Sequence, residues 1–179
     1  MLSNNLAKLC SGCRSEKIRK FIAVFIFMLL PFLVLPIQAV YPDKKGAELQ
    51  ATEDLKSLLL ESRSKKLPVL LMFSEMGCPY CGVIEEDFLN PMILSGQYED
   101  KVIIRKITYS NYKTIKDLKG NPVKITKITD KYNISFYPTI IFLDSKGSEI
   151  AERIVGLSTP DYFGYVLDEA ILKAVKAFH

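Results

Sequence analysis

The chain has 179 residues, 49% of them apolar and 25% charged, with a formal net charge of +4. That length and apolar content fit one packed domain and exclude a disordered chain. The basic excess is local: taking Lys8, Arg14, Lys17, Arg19 and Lys20 from the 24 basic residues, and Glu16 from the 20 acidic ones, leaves 19 of each, so no basic patch points to nucleic acid. The four cysteines form two pairs, Cys10/Cys13 and Cys78/Cys81, and the one histidine is His179. Beyond the N-terminal segment this set cannot close a four-ligand zinc site within one chain, and it argues against a Cys–His nucleophile pair.

Residues 1–20 are polar and basic, and residues 21–37 are a dense apolar run. With Ala39 as the small residue at its end, this is the three-part pattern of a secretory signal peptide covering residues 1–39. The alternative is an uncleaved N-terminal anchor, although Pro31 and Pro36 interrupt the run. In both cases the basic residues stay in the cytoplasm and the domain at 40–179 is exported, which predicts a periplasmic location. Cys10 and Cys13 lie in the basic region, with no strand before them and no helical pattern after them, and carry no predicted role.

From Glu48 to Lys65, Leu49, Ala51, Leu55, Leu58 and Leu59 keep to one helical face; Thr52-Glu53-Asp54 can instead cap a shorter helix. Residues 68–73 have no polar alternation and predict a strand covered on both faces. A helix follows over 82–89 and is expected to end at Asn90-Pro91, with a loop or short helix at 92–100. Val102–Ile107 predicts a second strand. Residues 108–124 are polar and carry Gly120-Asn121-Pro122, the chemistry of a turn, so they read as a surface insertion. A helix over 125–132, a strand over 139–143, a turn at Gly147 and an antiparallel strand over 149–155 come next. The last helix spans 162–177, starting from Thr159 or Asp161. Its apolar positions are Phe163, Val166, Leu167, Ala170, Ile171, Ala174 and Val175.

Cys78-Pro79-Tyr80-Cys81 thus stands where a strand hands over to a helix. Cys78 falls at the helix N-terminus, where unpaired N–H groups and the helix dipole favour a thiolate. The order helix–strand–helix–strand–helix–strand–strand–helix, with the cysteines after the first strand and Ser135-Phe136-Tyr137-Pro138-Thr139 before the third, resembles the thioredoxin fold. The resemblance covers roughly residues 48–178. Within that superfamily the chain looks closest to exported bacterial thioredoxin-like proteins, including the SoxW-like ones. The fold implied is α/β, a central mixed sheet of about four to five strands flanked by helices.

The resemblance implies that Cys78 attacks a substrate disulfide and that Cys81, one helical turn deeper, resolves the mixed disulfide, the two forming a Cys78–Cys81 disulfide in the oxidised protein. The alternative for the pair is a purely structural disulfide, although so short a loop removes little chain entropy. Pro79 suits the first helical turn, and Pro79 and Tyr80 are the expected tuners of redox potential, with a plain surface aromatic as the equal alternative for Tyr80. Pro138 takes the place of the family's cis-proline, with Tyr137 and Thr139 beside it as the expected substrate-binding residues; the alternative is an ordinary proline at the entry to a strand.

This sequence departs from the family pattern at three places. The Trp before the first cysteine is Gly77, the buried Asp of the preceding strand is Met72, and the dipeptide between the cysteines is Pro-Tyr. With Met72 unable to take a proton, Glu75 or Glu85 is the candidate acceptor, Glu85 lying four residues after Cys81. The Pro-Tyr dipeptide predicts a potential between roughly −270 and −120 mV. No cofactor or metal is expected. The partners expected are protein disulfides or dithiols and a membrane redox partner, with the chain acting as a monomer. Two other functions fit the same residues: a glutathione-dependent, glutaredoxin-like reductase, and a non-catalytic peptide-binding adaptor or chaperone.

Overall fold

A computed structural model describes residues 48–179, all within one compact unit, Lys44–His179. The signal-peptide or anchor segment and Cys10/Cys13 lie outside the described residues. The elements run α1 (Leu55–Lys65), β1 (Val69–Glu75), α2 (Pro79–Val83), a π-helical segment (Ile84–Leu89), α3 (Asn90–Ser95), β2 (Ile103–Tyr109), β3 (Thr114–Lys116), β4 (Pro122–Lys124), α4 (Ile125–Lys131), β5 (Thr139–Leu143), β6 (Glu149–Val155) and α5 (Pro160–Phe178).

The main sheet has four strands in the order β2-β1-β5-β6. β1 is parallel to β2, and β5 is antiparallel to both β1 and β6. β1 is buried from Val69 to Ser74, as its unbroken apolar run requires, and its side chains divide between two cores. Val69, Leu71 and Phe73 pack with Leu55 and Leu58 of α1 and with Ile125 and Ile128 of α4. Leu70 and Met72 pack with Cys81, Ile84 and Leu89 and with Phe163, Leu167 and Ile171 of α5.

At the N-terminal end the shorter helix forms. The Asp54 carboxylate accepts the Ser57 N–H at 2.9 Å and caps α1, and Asp54 itself is extended, as an N-cap residue is. Thr52 N–H donates to the Lys106 carbonyl and Lys106 N–H to the Gln50 carbonyl, so this segment lies along the edge of β2. Leu49 is still buried, but Ala51 is exposed.

Asn90-Pro91 does not end the active-site helix. Asn90 N–H reaches back five residues to the Glu85 carbonyl, and this wider π register accommodates a proline that has no N–H and would crowd the carbonyl four residues back. The chain therefore stays helical from Pro79 to Ser95.

The insertion also differs from the expected surface loop. It folds as the β3–β4 hairpin, with Ile115 buried in the α1 core. Its turn, Asp117-Leu118-Lys119-Gly120-Asn121, has the same design as Asp144-Ser145-Lys146-Gly147-Ser148 between β5 and β6. In each, the aspartate accepts the N–H groups two and four residues on, all at 2.8 Å. In each, the glycine takes a positive φ, +90° and +82°, which other residues rarely adopt. On α5, Val166 stays exposed while the rest of the predicted stripe is buried or half-buried.

Candidate active site

The last residues of β1 lead into a tight turn. Gly77 has φ +78°, a conformation that accounts for glycine in place of a large side chain there. Cys78 N–H donates to the Glu75 carbonyl at 3.3 Å, and Cys78 is the N-cap of the helix that follows, with Pro79 in its first turn. Cys78 and Cys81 are joined as a disulfide, their Cα atoms 5.3 Å apart. Cys81 N–H donates to Cys78 Sγ at 3.2 Å. Cys78 is half-buried, Cys81 is buried in the α5 core, and Tyr80 is exposed between them. The outer sulfur can thus be reached by a large substrate while the inner one is shielded.

Phe73 pairs with Thr139 across β1 and β5, which sets the Tyr137–Pro138 step beside the end of β1. The Tyr137–Pro138 bond is cis. Cys78 and Tyr137 pack against the same core. Pro138 and Thr139 are buried, and the Thr139 hydroxyl donates to the Phe136 carbonyl at 2.8 Å. Thr139 therefore braces the loop, and Tyr137, half-buried, is the member of the trio open to a partner. Burial, and then the neighbouring Tyr109 and Glu75, push the Tyr137 phenol up to about 12, so it stays neutral across the physiological range.

The two candidate carboxylates part company across the sheet. Ser74 is buried, and its hydroxyl donates to Thr108 Oγ1 at 3.2 Å. Met72 pairs with Lys106 in the β1–β2 register, on the Cys81 side of the sheet. Glu85, one turn beyond Cys81, forms an ion pair with Lys106, and both side chains are largely covered. Glu75 alternates to the opposite face, exposed, where Tyr109 is its partner in the register. The Tyr109 and Tyr137 rings lie 5.5 Å apart, tilted by 30°. The sequence reading missed Lys106 and Tyr109. The signal for Lys106 was the pair Arg105-Lys106 inside an otherwise apolar strand. In the structure each of these two cations meets a carboxylate on its own face, Arg105 with Glu61 and Lys106 with Glu85.

The family model of the thioredoxin-like domain matches residues 55–171. Among solved structures, spinach chloroplast thioredoxin f (short form) matches with 17% identity, covering 72% of this chain and 94% of that one, at a TM-score of 0.50. Thioredoxin O2 of Arabidopsis thaliana in its oxidised state is 21% identical over 69% of this chain and 94% of that one, at a TM-score of 0.44. The thioredoxin of Malassezia sympodialis is 18% identical with the same coverage, at a TM-score of 0.47. No curated protein sequence matches the chain.

Proposed function

Since the chain belongs to the thioredoxin-like domain family, we propose that it is an exported thiol–disulfide oxidoreductase acting on protein substrates, of the exported bacterial, SoxW-like kind. One observation carries this reading above all: a half-exposed cysteine caps the active-site helix while its disulfide partner is buried one turn deeper. Export rests on the basic and then apolar N-terminal segment. A periplasmic site of action implies a membrane-bound dithiol or disulfide partner to reset the pair.

In the reduced protein the Cys78 thiolate attacks one sulfur of a substrate disulfide. A Cys78–substrate disulfide forms, and the second substrate sulfur leaves as a thiolate and takes up a proton. Cys81 then gives up its proton and attacks Cys78 Sγ. The Cys78–Cys81 disulfide forms and the first substrate sulfur leaves, so the substrate gains the two electrons that the protein loses. Run in reverse, the same steps donate a disulfide. The helix N-terminus supplies the N–H that holds the Cys78 sulfur as an anion. Pro79 and Tyr80 shape the first turn and its exposed side, and the backbone at Tyr137 is the place where an extended substrate pairs.

Met72 cannot take the proton of Cys81. Glu85 is the carboxylate on the correct face, and Lys106 holds it there. We assign it the role of accepting that proton, and leave Glu75, which alternates to the other face of β1, out of this step.

Reduction of insulin disulfides by the wild-type protein and by Cys78→Ala is the direct test. The expected result is turnover in the wild type and none above buffer in the variant. Equal turnover in both would end the assignment, and binding of extended peptides without turnover would favour the non-catalytic module.

A further inference from the structure

Glu75 is the one candidate residue that the redox chemistry leaves without a task. Its backbone carbonyl accepts the Cys78 N–H, so the residue belongs to the turn that carries the reacting cysteine. Its neighbours in the sheet are Tyr109 on one side, by register, and the Tyr137 segment on the other. The rings of these two tyrosines meet across β1, and the nearness of Glu75 helps to keep Tyr137 protonated. Among the described residues, no lysine or arginine pairs with Glu75. None stands over the ring of Tyr109 or Tyr137 either, although Tyr98 and Tyr132 each have a lysine of this chain over them.

A carboxylate beside two neighbouring phenol rings, with no cation of its own, complements a flexible cation with an apolar stem. The carboxylate attracts the charge, the ring faces attract it through their quadrupole, and the rings also cover the methylenes. We propose that Glu75, Tyr109 and Tyr137 form a recognition site for a lysine or arginine side chain adjacent to the reacting cysteine of a protein substrate. This rests on the oxidoreductase reading and names a preference within it. Glu75 and Tyr109 act on binding and orientation, and neither touches the reacting sulfurs.

The test uses the full chain, reduced, and three acetylated peptide amides that carry lysine, norleucine or glutamate beside a single cysteine. Each peptide is linked by a disulfide to 2-nitro-5-thiobenzoate. Attack by Cys78 forms a bond to the peptide sulfur, breaks the peptide–aryl disulfide and releases the coloured thiolate. Because a flanking charge alters the intrinsic reactivity of the disulfide, the quantity read is the lysine-to-glutamate rate ratio in the wild type against that in Glu75→Gln.

The wild type is expected to favour the lysine peptide roughly five- to tenfold, an exposed charge pair aided by the rings. Glu75→Gln should bring the ratio within about twofold, Glu75→Asp should retain most of it, and Tyr109→Ala should weaken it where Tyr109→Phe does not. An unchanged ratio in Glu75→Gln, or equal rates with lysine and glutamate peptides in the wild type, overturns the recognition site alone. No thiolate release from any peptide overturns the oxidoreductase reading and this site with it.

Discussion

Two helices of this fold begin with the same bond. In α1 the Asp54 side chain accepts the N–H of Ser57, and in α2 the Cys78 side chain accepts the N–H of Cys81, in both cases three residues on. The first cap carries a standing charge. The Ser57 N–H, with help from Lys116, holds the Asp54 carboxyl down at about 2. The second can carry one only after the disulfide is opened. One geometry thus serves structure where the acceptor is fixed and chemistry where the acceptor can be made and unmade. What separates them is the partner: Asp54 meets the Lys116 ammonium at 2.9 Å, whereas Cys78 meets a second sulfur.

The largest effect should come from removing the reactive acceptor. Cys78→Ala is expected to abolish insulin reduction, while Cys81→Ser should accumulate the mixed disulfide, seen as a covalent adduct on non-reducing gels. Next is the proton path proposed for Glu85. Glu85→Gln should slow resolution of the mixed disulfide by roughly 10- to 100-fold and shift its pH profile. The initial attack by Cys78, read by acid quenching and alkylation, should hardly change. A variant that slows both steps alike would point to general damage to the helix and not to proton transfer.

Smaller effects test the caps as caps. Cys78→Asp copies the first cap onto the second, and should be about 1 kcal/mol more stable to urea than Cys78→Ala while equally inactive. Asp54→Ala should lose about 1 kcal/mol with reductase activity intact. The folded protein binds the Asp54 proton less readily than the unfolded chain, whose carboxyl has the ordinary value near 3.8. Its contribution is therefore complete above that value and lost as the pH falls through about 2. Asp54→Asn should flatten the stability curve within that window and leave it parallel to the wild type at neutral pH.

The sequence was most readable where one periodicity ruled alone. β5 and β6 occupy the predicted residues, since an apolar run joined through Asp144–Gly147 to a second strand leaves little other choice. Cys78 and Cys81 were legible because a strand-to-helix junction gives the spacing its meaning. All but one of the failures share one cause, a local signal overruled by a contact distant in sequence; Pro91 is the local exception. Ala51 keeps helical spacing with Leu55 and Leu58, yet backbone bonds to Lys106 hold its segment extended. Pro91 reads as a stop, yet the π register lets the helix pass through it. The insertion reads as polar decoration because one buried residue, Ile115, carries its packing, although the repeated Asp-x-Lys-Gly turn pointed to a second hairpin. The Glu85–Lys106 pair depends on the register between β1 and β2, which no spacing within either strand reveals.

The most direct test of the account is the ionisation of Cys78 in the reduced full-length protein. The rate of iodoacetamide alkylation is followed against pH and read at the Cys78 peptide by mass spectrometry, so that Cys10, Cys13 and Cys81 do not contribute. A helix-capping thiolate predicts a midpoint below about 7.5, with Glu85→Gln leaving it in place. A midpoint at or above the ordinary thiol value of about 8.5 would mean that the helix N-terminus does not activate this sulfur, and would contradict the account.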